Sequence, residues 1–381
     1  MKNFRTLYYF ELKKILSRKI VWIMVVGALL FMVLMESLLI LTEHVEVEGK
    51  YISLYDKVQE MRQLSKKHDN RPIDDTLLSE MQEAYTKQEN TLAYAAVYEY
   101  VAMFGDALEL KEQDLYDLKE IRQQMTMKDL KLSEKEKEYW KEKESMVQKP
   151  ICNSYVEGGY RMWASFYSIS ILLPLLLAVC LSNLFSEEHK RRTDQLLLCT
   201  KEGRKQVYYA KLAAGMSFGL ACAFLLMLAT LLALYWYGAG GIDAPIQLVV
   251  GLTAYSWTIK EAIAIYAGLC CLTSLLLSVA AMFFSEWFRS ASAVMAVMVI
   301  GMFAGIVQFI PFGWRVLSQL QGWLPQNMMG DLTGVMDFRL IPWFGGYLNK
   351  YQFVPWLYFL VTLLLAAVGK QLYKNYQVKG R

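Results

Sequence analysis

Apolar residues in this chain gather into blocks of roughly twenty, about the length a helix needs to cross the hydrocarbon core of a bilayer. Six such blocks predict membrane spans at residues 20–41, 163–185, 212–237, 262–284, 291–310 and 353–369, with spans three to five filling 212–310. The first block follows a basic start, 1–19, but it is long for a signal core. No small-x-small cleavage site follows it; Thr42, Glu43 and His44 come instead, so it reads as a retained span. Two further apolar stretches, 245–257 and 311–347, are broken by Pro, Gly and charge. They predict interfacial or re-entrant helices, with 311–352 as the segment before the last span, since irregular backbone at membrane depth needs protein or water to satisfy it.

The polar segment 42–162 has a different texture. It holds no glycine between Gly49 and Gly105, and Pro72 is the only proline between those two glycines. The strings 74–103 and 110–148 are rich in Glu, Lys, Gln, Leu and Met, which favour helix. Ser133 and Glu136 fit a capping box that opens a charged helix, and mixed charges at four-residue steps from Glu134 to Lys149 read as a solvated face. The expectation is a compact helical or coiled-coil-like extramembrane domain. The fold class that follows is an all-α polytopic membrane protein: six transmembrane helices, an N-terminal interfacial elbow helix and a helical extracellular domain.

Charge sets the orientation. The net charge is only +4, but residues 43–160 carry 25 of the 36 acidic and 17 of the 40 basic residues. The basic residues near span ends cluster in 1–19 (Lys2, Arg5, Lys13, Lys14, Arg18, Lys19), in 186–211 and in the tail 370–381. With six spans these regions fall on one side, which the positive-inside rule makes the cytoplasm. Both termini are then cytoplasmic and the acidic insertion lies outside, in a multi-pass protein of the plasma or inner membrane. Within 1–19, Phe4, Leu7, Tyr8, Leu12, Ile15 and Leu16 recur at three- and four-residue steps, while Lys13, Lys14 and Arg18 suit the headgroup side of a helix lying in the interface.

The loop 186–211 carries the most information. A charged turn with Glu187 and Glu188 leads to Thr193, which suits a helix cap, and Asp194, well placed against the dipole at that helix's start. A face of Leu196, Leu197 and Leu198 follows, then a break at Gly203 and a second short amphipathic helix with Arg204 and Lys205. Exposed leucines on a short helix outside the membrane need a partner groove.

At these positions the chain resembles the permease subunits of type-2 ATP-binding cassette (ABC) exporters. The matching residues are Glu187 and Glu188, Thr193, Leu196 to Leu198, Arg204 and Lys205, then Ala210, Lys211 and Leu212. Arg192 stands where that family usually has glycine, and no proline follows Thr200. The resemblance extends to the elbow helix and the six spans, and the long outer insertion resembles the subgroup with an added extracellular domain. It implies that 186–211 is a coupling loop docked on a separate ABC ATPase, and that a second permease chain, identical or related, completes the pathway. ATP and magnesium then belong to the partner, and this chain binds no cofactor and is not itself an enzyme. The cargo implied is a peptide, lipid or drug-like molecule. The alternative is a mechanotransmitter or sensor subunit that moves its outer domain when a partner hydrolyses ATP and transports nothing.

Other chemistry finds little footing. The sequence has no phosphate-binding Gly-x-x-x-x-Gly-Lys-Ser/Thr loop, and His44, His68 and His189 are too far apart to suggest metal-ligand spacing. The basic loops are short and abut spans, which argues against nucleic acid. Cys180, Cys222, Cys270 and Cys271 lie in apolar blocks, Cys199 follows a basic loop and only Cys152 falls in the polar insertion, so no disulfide framework is expected. Charge within the spans is scarce; Glu36, near the outer end of the first, is the one possible intramembrane charge, while Lys260 and Glu261 sit at the mouth of the fourth.

Overall fold

A computed structural model describes residues 2–191 and 206–375. The chain is mostly helical. Its first helix, α1 (Lys2–Leu16), is followed by α2 (Lys19–Thr42), whose 24 residues contain one charged side chain beyond the first, Glu36. The polar segment then runs through a hairpin, β1 (His44–Val47) and β2 (Lys50–Ser53), and five helices: α3 (Leu54–Leu64), α4 (Asp75–Lys87), α5 (Ala95–Ala102), α6 (Glu112–Asp129) and α7 (Glu134–Ser145). Next come α8 (Glu157–Ala164), α9 (Phe166–Leu181) and α10 (Asn183–Arg191), nearly continuous with one another. Beyond the undescribed 192–205 lie α11 (Gln206–Tyr237), α12 (Ile259–Phe288), α13 (Ala291–Ile306), the short α14 (Arg315–Gly322) and α15 (Pro325–Gly330), a second hairpin β3 (Ile341–Trp343) and β4 (Gly346–Leu348), and α16 (Lys350–Asn375).

Five helices are long and apolar enough to cross a membrane: Lys19–Thr42, Glu157–Glu188, Gln206–Tyr237, Ile259–Phe288 and Lys350–Lys374. The predicted block 291–310 is helical only over the 16 residues of α13. At about 1.5 Å per residue that is some 24 Å, short of a hydrocarbon core of about 30 Å. The last helix, by contrast, is longer than the predicted 353–369. Asn349 and Gln352 exchange backbone-to-side-chain hydrogen bonds of 3.1 and 3.0 Å that open it early, and Tyr373 packs near its far end.

The spans pack through small residues. Along α11, a Cβ on Gly219 would overlap Ser278 Oγ of α12, and one on Gly215 would overlap Met282 Sδ. The backbones therefore approach as closely as small-xxx-small packing allows, which substitutes for a hydrophobic driving force in lipid. On the other side of α11 lie α1 and α2, while α12 also contacts α9, α13 and α16. Glu261 closes a capping box with Thr258 at the start of α12, and Lys260 pairs with Asp243 at 2.6 Å, so both charges of that mouth serve local structure.

The polar segment 42–162 departs from the expectation in three ways. It begins as a hairpin rather than a helix: Glu48 and Gly49 both adopt positive φ (52° and 76°), the two-residue turn that matches strand twist. Its helices are short, and the longest, α6, has 18 residues. Nor is the face from Glu134 to Lys149 solvated throughout. The capping box of Ser133 and Glu136 forms as expected, but Glu136 and Trp140 turn inward, and Lys119 of α6 is buried against Glu144 at 2.8 Å. The stretch 245–257 is no interfacial helix either. It forms one 3-10 turn, Ile246–Leu248, and a buried irregular strand of chain held by Gln247 Nε2, which donates to Tyr255 O at 2.7 Å. Within 311–349, helix is limited to α14, α15 and one 3-10 turn, and the hairpin β3–β4 takes the rest of the ordered structure, while 350–352 already belong to α16.

These polar-segment and loop pieces are not a separate body. Leu77, Tyr100, Phe104 and Trp140 belong to the same continuous apolar cluster as Trp163, Leu173, Tyr266 and Val354. Trp140 Nε1 donates to Phe338 O at 2.6 Å, and Tyr155 donates to Tyr237 O at 2.7 Å where Gly158 lies so close to the Gly238 carbonyl that no side chain fits.

Candidate functional site

The far end of the bundle from these contacts carries both flanks of the 192–205 segment, and opposite charges from α1, α10 and α11 meet there. The face of α1 that packs on α11 presents Tyr8, Glu11, Leu12 and Ile15, spaced three and four apart. Glu11 falls on the apolar stripe and is carried inside with it. From α10 comes Glu188, and from the first turns of α11 comes Lys211, which is fully buried. Glu188 Oε1 accepts from Lys14 Nζ at 2.6 Å and from Lys211 Nζ at 2.5 Å. Lys211 Nζ also lies 3.4 Å from Glu11 Oε2, an ion-pair distance without hydrogen-bond alignment, and 5.1 Å from the centre of the Phe185 ring. Two carboxylates and two ammonium groups thus balance, as groups withdrawn from water require. Arg18 adds a tie from the α1–α2 corner, donating from Nη1 to Cys180 O at 3.2 Å.

Two further contacts brace this junction. Ser285 Oγ, near the end of α12, accepts from the Phe185 and Ser186 N–H groups at 3.2 and 3.1 Å and donates to Ser182 O at 2.6 Å. That locks the step from α9 into α10. Tyr208 donates to Ala366 O at 2.8 Å, and the rings of Phe185, Tyr208 and Tyr373 sit 5.7–6.0 Å apart. The starts and ends of α1, α10, α11, α12 and α16 are therefore fastened at one point.

Of the residues singled out in the sequence, Glu188 stands at the centre of the junction and Glu187 is half-buried beside it on α10. Thr193, Asp194, Leu196, Leu197, Leu198, Arg204 and Lys205 lie outside the described residues. The flanks correct the expectation at two points: residues through Arg191 are helical rather than a charged turn, and 206–211 are the first turns of α11 rather than a separate short helix. Lys14 is not simply a headgroup-facing cation, since it reaches across α10 to Glu188. Glu36 belongs elsewhere: half-buried near the other end of α2, it accepts a hydrogen bond from Ser165 Oγ. The sequence reading missed Glu11 altogether, although its place one step along the Tyr8–Leu12–Ile15 stripe was a signal. Among the described residues, no three His, Cys, Asp or Glu side chains gather in a way that could hold a metal.

No family model, curated protein or solved structure matches this chain.

Proposed function

We propose that this chain is the membrane-spanning subunit of an ATP-driven exporter, moved by an ATPase that docks on 192–205 and its flanks. In this reading α13 makes a sixth crossing, both termini and the coupling segment face the cytoplasm, and 42–162 with 311–349 lie outside. A short span of the kind α13 offers is accommodated by local thinning of the bilayer. The ATPases bind and hydrolyse ATP with magnesium; this chain supplies two rigid levers, α10 and α11, on either side of the docking segment, and a second permease chain completes the pathway for an apolar or amphipathic cargo.

The observation that carries the reading is the quartet of Glu11, Lys14, Glu188 and Lys211, buried except for the half-buried Lys14. A push on 192–205 acts on both levers, and the quartet obliges α1 to move with them. Such a bistable packed junction is what converts a local displacement into a shift of whole helices. The sensor alternative draws on a different observation, the shared core of outer domain and spans, which gives the same push a path to the outside.

The reading is tested by purifying the tagged chain from its native membranes with whatever ATPase accompanies it. Wild type is expected to carry vanadate-sensitive ATP hydrolysis, and Leu197→Asp to insert normally but lose it. Equal hydrolysis with both chains would sink the docking claim. An impermeant maleimide applied to intact cells is expected to label Lys135→Cys and spare Arg204→Cys; the reverse pattern would overturn the topology. Cargo uptake into inverted vesicles then separates exporter from sensor.

A further inference from the structure

A second site lies at the other end of the molecule, where α7, the irregular segment before α12 and the start of α16 converge on a cleft of about 290 Å³. One wall is aromatic. Tyr255 and Trp257 stack at 4.1 Å, and Tyr351 meets Trp257 edge-on at 5.3 Å. The nitrogen groups on the cleft offer donors, beside the two-way hydroxyl of Ser256. The Oδ1 of Asn349 and the Oε1 of Gln352 are consumed by the two backbone N–H groups that open α16, which leaves their NH₂ groups without a partner among the described residues. Lys143, in the last turn of α7, has no ion-pair partner there either; its ammonium lies 5.8 Å from the Tyr139 ring centre. The adjacent carboxylate, Glu144, is held by Lys119 at 2.8 Å and does not neutralise it. The positive end of a 26-residue helix adds to the same sign.

From this we infer that the cleft binds an apolar carboxylate: an aromatic or aliphatic body against Tyr255, Trp257 and Tyr351, with its anionic end taken by Lys143 and the two amide NH₂ groups. An aromatic floor with a few convergent polar groups is the usual make-up of a small-molecule site, and an ammonium with two free NH₂ groups and no carboxylate in the lining favours an acceptor with full charge. The carboxylate can be that of a free acid or the C-terminus of an apolar peptide. The site goes beyond the ATPase-coupled reading and does not depend on it.

The test uses the full chain alone in nanodiscs, with ligand-observed fluorine NMR. The probes are N-acetyl-4-fluorophenylalanine, its carboxamide, a tripeptide ending in 4-fluorophenylalanine as acid and as amide, and a terminally fluorinated decanoate. Saturable binding of an acid is expected, with the matching amide about tenfold weaker, the loss typical of a hydrogen-bonded charge. Lys143→Gln is expected to weaken the acid to a similar degree, Lys143→Arg to retain it and Trp257→Ala to abolish it. Tighter binding of the tripeptide assigns a peptide C-terminus, and tighter binding of decanoate assigns a free acid. Equal binding of acid and amide, an unchanged affinity in Lys143→Gln, or no saturable acid at all would each overturn the site. Because no ATPase is in the assay, such a failure leaves the coupling claim standing, and loss of coupling leaves this one standing.

Discussion

Lys211 is fully buried and has its charge met from two directions, by Glu188 and by Glu11. Removing one member of such a set strands the others in a medium that cannot solvate them, at a cost of about 3–5 kcal/mol, whereas replacing opposed members together by apolar groups is close to neutral. Lys211→Met is therefore expected to lower the unfolding midpoint of the purified chain sharply, and Lys211→Met with Glu11→Leu to recover most of the loss. A thiol-reactive dye reads this directly on heating, because Cys180, Cys222 and Cys270 are buried in the helices around the junction. A single variant as stable as wild type would show that the quartet holds nothing together. Little of this set was legible beforehand. Glu188 and Lys211 stood out by their place in the loop, but Glu11 and Lys14 sit among basic residues that read as a topogenic flank, and their partners are more than 170 residues away. Only pairing in space distinguishes a solvated lysine from a buried one.

At the level of elements, hydropathy and length carried most of the load. A block that is apolar all round has one low-energy home as a helix in lipid, and five of the six predicted blocks fall on helices long and apolar enough to cross a membrane. Their ends were not legible, because α16 and α11 continue past their apolar blocks on polar caps and aromatic packing. The hairpins were missed for a different reason: each is too short to show period-two alternation. Their turns were the available signal, since Glu48-Gly49 and Phe344-Gly345 both supply the paired positive φ that a two-residue loop needs. Helix packing yields a sharp expectation of its own. Gly219→Leu has no room beside Ser278, and overpacking of this kind costs about 1–3 kcal/mol. Gly268→Leu, in α12 with open space around it, is expected to be silent. The two variants compared by dye-monitored unfolding check whether the α11–α12 seam is the tight one; equal behaviour would deny it.

Across the whole molecule, the polar segment 42–162 is joined to the long apolar helices by one continuous core, and the Glu136–Arg315 pair helps to set how firmly it sits. Glu136 of α7 meets Arg315 of α14 and accepts from the Leu340 N–H at 3.4 Å, next to the Trp140–Phe338 contact. Burial alone would raise this carboxyl, but the hydrogen bonds from Arg315 and Ser133 outweigh it and hold the group below its ordinary value of 4.5. A carboxyl depressed in the folded state adds stability that is complete above its unfolded value and disappears as the pH falls through the lower, folded one. Docking of α7 is thus expected to be firm at neutral pH and to loosen in acid below the ordinary carboxylate range. Hydrogen exchange over residues 133–148, corrected for intrinsic rates, is the direct readout. Wild type is expected to lose protection on acidification, whereas Glu136→Gln starts less protected at pH 7 and changes less, which separates this group from Asp337, whose carboxyl is also held low nearby. If the two chains exchanged alike at both pH values, the Glu136–Arg315 pair would be an ornament of the interface, and the polar segment would be held by its apolar contacts alone.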